Sequence, residues 1–338
     1  MGENTKIAWT DDTHNFWRGC TKVSPGCSNC YAEHNVGVKL AGIKWGKGQP
    51  RVRSKSFEEP LKWNKKPWVC GCGAFADFAI DANLLLCPSC MEYPHRRRVF
   101  SLSLGDWLDP EVPVAWLADM LDVIRRCPNL DFLLLTKRPE LWKQRVDSAF
   151  LTLKFKDVER AQWVWDWLYD GKSPSNIWLG TTVENQKTAD ARVEALRKIP
   201  AKVRFLSCEP LLSAVDLSKL FNVHYLGTAE HRPAVGIDWV IVGGESGNYA
   251  RVCNVEWIHG IVQQCKTAKV PVFVKQLGST PVCCAPQHSG KCPPELDPEG
   301  WERLCKAWPL VINHPKGGDM SEWPEELRIQ QFPEVVHE

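Results

Sequence analysis

The sequence predicts an α/β protein: a full or partial (β/α) barrel of parallel strands carrying a zinc-ribbon-like insertion. Three observations lead there. Short apolar runs recur along the chain and are nearly continuous rather than alternating, as parallel strands covered on both faces require. Amphipathic helical stretches fill several of the gaps between them, which is the rhythm of βα units. Two close cysteine pairs interrupt that rhythm early.

The runs are Val99–Leu104, Phe132–Leu135, Ile177–Gly180, Val203–Leu206, Trp239–Val242 and Val272–Val274, with one more strand expected near an N-terminal cysteine loop. Helices are expected over Val114–Arg126, with Val114, Leu117, Met120, Leu121 and Ile124 on one face, over Thr188–Ile199 after Asn185, and over Val255–Lys266. The expected organisation is a barrel from residues 1–39 and 99–278, a basic cysteine-rich insertion at 40–98, and a C-terminal extension at 279–338. That extension is expected to pack back on the barrel through Trp323, Leu327 and Ile329.

Composition sets bounds. The 338 residues suffice for one large domain with insertions or for two domains. A net charge of +2 points to no partner, and no apolar run approaches the roughly 20 residues that span a bilayer. The N-terminal stretch lacks an apolar signal core, so a cytoplasmic protein with no membrane partner is expected. Fifteen cysteines in such a chain favour metal ligation over disulfides. Isolated Cys127, Cys253, Cys265 and Cys305 are expected to be inert buried thiols.

Cys20, Cys27 and Cys30 lie in a loop rich in Gly, Ser, Pro and Asn, with gaps of six and two residues. Such a loop can aim three thiolates at one point, and thiolates favour zinc or iron–sulfur clusters. Three ligands to a four-iron cube leave one iron open, which suggests chemistry. The alternative is zinc with a fourth ligand such as His14 or His34. Cys70 and Cys72, then Cys87 and Cys90, form two turn-like pairs that read as a zinc ribbon, with an auxiliary iron–sulfur cluster as the rival. Cys283, Cys284 and Cys292 with His288 form either a second zinc site or a loop of free thiols.

Each strand is followed by polar residues. Ser103 and Asp106, Lys137 and Arg138, Glu184 and Asn185, Cys208 and Glu209, Gly243, Gly244 and Glu245, and Lys275 with Gln276 occupy these tails. In a parallel barrel the carboxyl ends of strands share the functional rim. Glu184 and Asn185 also suit the start of a helix, where a cap is needed.

These residues resemble the radical SAM superfamily. The likeness is to its phage-associated branch with an N-terminal three-cysteine motif. It rests on Gly19-Cys20 through Tyr31-Ala32, Gly105-Asp106, Leu135 to Glu140, Val183 to Gln186, Ser207 to Leu212, Val242 to Gly247, Lys275-Gln276, Lys316 to Asp319 and Glu322 to Pro324. The first cysteine gap, six residues, is longer than the three of the commonest radical SAM triplet.

The resemblance implies a [4Fe-4S] cluster on Cys20, Cys27 and Cys30. It implies reductive cleavage of S-adenosylmethionine to a 5′-deoxyadenosyl radical, and an electron donor such as flavodoxin or ferredoxin. Ser103 and Asp106 would hold the ammonium of S-adenosylmethionine, Lys137 and Arg138 its carboxylate, Glu184 and Asn185 its ribose. Gly243 and Gly244 would admit the ligand close to the backbone, while Glu209, Glu245, Lys275 and Gln276 would face cofactor or substrate. Cys208 is either a hydrogen donor to a substrate radical or a small apolar residue of the barrel floor.

The insertion from Lys44 to Arg98 carries eleven basic and five acidic side chains, and Trp45, Trp63 and Trp68 are interleaved. This mix suits a phosphate backbone and stacked bases, so a nucleic acid or modified nucleotide is the first substrate expectation. Two rivals stand: a non-catalytic, metal-stapled nucleic-acid-binding protein, and a divalent-metal barrel hydrolase using Asp106, Glu209 and Glu245.

Overall fold

The six apolar runs and one polar stretch ahead of the cysteine loop become the seven strands of one parallel half-barrel sheet. They are β1 (Asp12–His14), β2 (Arg98–Ser101), β3 (Asp131–Thr136), β4 (Ile177–Thr182), β5 (Val203–Cys208), β6 (Trp239–Gly243) and β7 (Val272–Gln276). The strands lie side by side in chain order. Val99 faces Asp12 and Phe132, and Val242 faces Cys208 and Val274. All six residues of β4 and all five of β6 are buried, which accounts for their apolar runs Ile177–Leu179 and Trp239–Val242. This computed structural model describes residues 3, 5–72, 86–87, 89–155, 157–221, 236–283 and 308–335.

The connections are helical. They are α1 (Val114–Arg125), α2 (Trp142–Lys154), α3 (Val158–Leu168), α4 (Gln186–Arg197) and α5 (Val255–Ala268). Leu117, Met120, Leu121 and Ile124 of α1 are buried, as their spacing predicts. The β3–β4 crossover holds two helices, α2 and α3, that the apolar pattern had not singled out. Their signal is Arg145, Val146, Ala149, Phe150 and Leu153 on one face of α2. β2 stops at Ser101 rather than Leu104, because Leu102 turns into the left-handed region at φ 65°.

Packing divides the chain into two units: Met1–Lys22 with Ala32–Gly180 and Ile199–Lys202, and Val23–Tyr31 with Thr181–Lys198 and Val203–Glu338. The first unit buries Trp107 stacked on Trp167, their ring centroids 6.4 Å apart. Within it, the described residues of 40–98 up to Arg96 form short elements outside the parallel sheet. Val52–Arg53 pairs with Trp17–Arg18, and Trp68–Val69 pairs antiparallel with His95–Arg96. In the second unit the C-terminal segment returns to the sheet. Ile329 and Gln331 bond the backbone of Val274 and Val272, and Trp323 and Leu327 are buried. This segment covers the free edge of β7, which would otherwise present unpaired backbone groups. Among the described residues, no helix is long and apolar enough to cross a membrane.

Candidate metal centre and cysteine loop

The insertion brings its cysteines together. The sulfurs of Cys70, Cys72, Cys87 and Cys90 all lie within 4.8 Å of one another. Cys70 and Cys90 are 3.0 Å apart, and Cys72 and Cys87 are 3.7 Å apart. Among the described residues this is the one such group of three or more His, Cys, Asp or Glu side chains. The Trp68–Val69 strand delivers the first pair. A tight turn delivers the second: Met91 N–H donates to Cys87 O and Cys87 N–H to Glu92 O, with Met91 at φ 60°. The backbone N–H of Ser89, then that of Cys90, hold the Cys87 thiol below the usual thiol range. Four sulfurs at these distances could hold a metal ion.

The cysteine loop follows β1. Its first part belongs to the first unit. Cys20 Sγ lies 3.7 Å from both terminal nitrogens of Arg138. The same guanidinium donates to Asp106 Oδ2 at 2.7 Å and to the carbonyl of Thr21 at 2.6 Å. Asp106 is held by Thr136 Oγ1 and by the Lys137 N–H. On the other side of Thr21, the buried Arg51 donates to the Thr21 hydroxyl, to Asp109, and to the carbonyls of Gly46 and Gln49. Burial, and then the Asp106 carboxylate, push the Cys20 thiol up to about 12 against the opposing pull of Arg138.

The rest of the loop belongs to the second unit. Pro25–Cys27 forms one 3-10 turn. Ser24 Oγ donates to Glu184 Oε1 at 2.7 Å and sits 3.7 Å from Cys27 Sγ. Glu184 is fully buried and also accepts from Arg192 at 3.2 Å. Arg251 donates to the Pro25 carbonyl, and its other nitrogens grip Glu245. Asn29 donates to Glu245 and to the Tyr249 carbonyl. Burial alone would raise the Glu245 carboxyl. Hydrogen bonds from Arg251 and Asn29 outweigh it and hold the group below its ordinary value.

A family model described as "Protein of unknown function (DUF5131)" matches residues 4–304. The chain belongs to this family. No curated protein and no solved structure matches it.

In this DUF5131 chain several strand-tail residues, Asp106, Arg138, Glu184, Asn185 and Glu245 among them, serve the protein's own loop or its helices. Asn185 is the N-cap of α4 in a reciprocal capping box with Thr188. At Gly243 and Gly244 the place a Cβ would take is already filled by backbone. A Cβ on Gly243 would fall 3.0 Å from Gln276 O, and one on Gly244 would lie on the Leu277 carbonyl. Ser103 accepts from Asn15 Nδ2. Glu209 pairs with Lys275 at 2.9 Å. Asp106, Glu209 and Glu245 thus each carry a cation of their own: Arg138, Lys275 and Arg251. Cys208 is fully buried, and burial raises its thiol well above the usual range.

His14 is a core histidine. It packs edge-on to Phe16 and Trp63, and burial lowers it to about 4. Cys127, Cys253 and Cys265 are buried thiols, while Cys305 lies outside the described residues, as do Cys284, Cys292 and His288. In the insertion, Arg51, Arg53, Arg97 and Arg98 are each paired with an aspartate. Trp63 is buried, whereas Lys44, Lys47, Lys55, Lys65 and Lys66 are exposed. Arg51, Arg192, Arg251 and Asn29 were given no site role from sequence; Arg51, Arg251 and Asn29 each lie far along the chain from a residue they hold, while Arg192 holds Glu184 from eight residues away.

Proposed function

We propose that this chain is a radical SAM enzyme whose [4Fe-4S] cluster is held by Cys20, Cys27 and Cys30. The observation that carries the reading is the grip on the cysteine loop at the carboxyl ends of parallel strands. β1 leads into the loop, and Arg138, Glu184 and Glu245, from the tails of β3, β4 and β6, each fix part of it within their own unit. The donor set fits the cluster: three soft sulfurs, with guanidinium N–H groups at Cys20 and a hydroxyl at Cys27, are the surroundings that orient metal thiolates. Such a cluster supplies an open iron for S-adenosylmethionine and the electron for its reductive cleavage. The chain's own residues hold the loop still. Ser103, Lys137, Glu209 and Lys275 stand at strand tails where the ammonium, carboxylate or hydroxyl groups of the co-substrate would be met. The buried Cys208 keeps both of its readings, hydrogen donor and apolar filler.

The four-cysteine group binds structural zinc in this proposal, since an all-thiolate set of four suits tetrahedral zinc. A low-potential protein such as flavodoxin or ferredoxin supplies the electron. The substrate is a nucleic acid or modified nucleotide. Its phosphates would meet the exposed lysines of residues 44–66, because the arginines there, Arg51 and Arg53, are already paired with aspartates.

Anaerobic reconstitution with iron and sulfide, then dithionite and S-adenosylmethionine, tests the reading. The expected product is 5′-deoxyadenosine, lost in Cys27→Ala. A loop holding tetrahedral zinc, with no nucleoside released, overturns it.

A further inference from the structure

We propose that Arg138 sets the reduction potential of the loop's cluster by donating N–H groups to the Cys20 thiolate. The inference rests on the enzyme reading above and gives Arg138 a positioning and tuning duty toward the cluster in place of the carboxylate of S-adenosylmethionine, since its guanidinium is already tied to Asp106 and to the Thr21 carbonyl. Both terminal nitrogens of Arg138 stand 3.7 Å from Cys20 Sγ. The fork cannot swing away. One nitrogen is tied to Asp106 Oδ2 at 2.7 Å, the other to Thr21 O at 2.6 Å, and the side chain is 5% exposed. Asp106 is itself fixed by Thr136 and by the Lys137 N–H.

The electrostatic consequence has a definite sign. One-electron reduction adds negative charge that spreads onto the cluster's sulfur ligands. Donors aimed at a ligating sulfur stabilise that charge and raise the potential. The Asp106 carboxylate acts in the opposite sense and moderates the cation. Arg138 and Asp106 are thus an opposed pair, and removing either member shifts the potential in a different direction.

The test uses the full chain reconstituted with iron and sulfide, its cluster content measured first and its potential read by electron paramagnetic resonance during a dithionite titration. In Arg138→Gln the expected result is a wild-type iron content and a lower potential. At the wild-type midpoint, the ratio of reduced to oxidised cluster falls tenfold or more, about 59 mV per tenfold for one electron. In Asp106→Asn the potential rises. If Arg138→Gln fails to fold, Arg138→Lys replaces it, keeping a cation for Asp106 but lacking the fork, with a fall again expected. If neither folds, the Asp106→Asn arm decides, and an unchanged or lowered potential there overturns the inference. Full clusters with unmoved potentials in the variants overturn the tuning role alone. A wild-type chain that takes up no iron overturns the enzyme reading together with it.

Discussion

Gly26 lies directly against the carboxylate of Glu184. A Cβ at residue 26 would fall 2.5 Å from Glu184 Oε1 and 2.7 Å from its Cγ. Glu184 cannot move aside easily, since it is fully buried and bonded to both Ser24 and Arg192. The glycine before Cys27 is therefore set by close packing rather than by backbone angle, and the loop rests on the end of β4.

Gly26→Ala should then cost about 1–3 kcal/mol, the usual range for forcing an extra methyl into a filled site. The loop should also open. Limited proteolysis at residues 22–31 alongside a melting curve checks both. An unaltered cleavage pattern and an unchanged melting temperature would mean that Glu184 does not seat the loop.

The four-cysteine group should hold a metal independently of the loop. We expect Cys87→Ser to lose the proposed zinc and to loosen the Trp68–Val69 and His95–Arg96 pairing beside it, because metal binding and folding of such a site are linked. The triple variant Cys20→Ala, Cys27→Ala, Cys30→Ala should keep its zinc. Elemental analysis of both proteins decides the matter; zinc lost equally from the two would merge what the structure separates.

Glu245 gives a pH dependence with a worked sign. Its carboxyl is held below the ordinary 4.5 by Arg251 and Asn29 despite burial. The stabilisation is fully present above pH 4.5 and is lost as the pH falls from there through the lowered folded value. The melting-temperature gap between wild type and Glu245→Gln should be full at neutral pH and shrink steadily below 4.5. A gap that stays constant into that acid range would show that the charge on Glu245 does not contribute.

The strands and the cysteine pairs were legible because their causes are local. A strand buried on both faces needs a continuous apolar run, as in Trp239–Gly243. A metal turn needs closely spaced thiols, as in Cys87 and Cys90. Apart from the helix cap at Asn185, whose cause is local, the duties of the polar tails were not legible. Arg138 meets Cys20 across 118 positions and Glu184 meets Ser24 across 160. Nothing near a strand end tells whether its carboxylate faces a ligand or the protein's own loop. The helices α2 and α3 were obscured for another reason. Trp163 and Trp165 break the apolar stripe of α3, and Trp165 stays 40% exposed.

Arg51 clamps the residue after Cys20 from inside the first unit. Its side chain and that of Asp109 are both fully buried and 2.8 Å apart. Arg51→Met should cost about 3–5 kcal/mol, because it leaves the Asp109 charge buried without its main partner. Chemical denaturation measures this. A cost below about 1 kcal/mol would place the pair among weak surface-like bridges instead.

The covered edge of β7 supplies the last prediction. Trp323 is 2% exposed, and its indole N–H donates to Gly317 O, whose carbonyl also accepts from Leu277 N–H just beyond β7. The indole thus anchors the return segment whose Ile329 and Gln331 complete the edge, with Phe332 packed on Trp239 and Phe273. Trp323→Ala should cost about 3–5 kcal/mol from lost packing. Trp323→Phe keeps most of the volume and should cost about 1 kcal/mol for the missing donor. Beyond the bulk effect, the amides of Val274 and Gln331, which close the edge bonds, should exchange faster in Trp323→Ala than those of Val240 and Val242 in the sheet interior. Equal acceleration at all four positions would mean that the indole stabilises the second unit as a whole and does not specifically secure its edge.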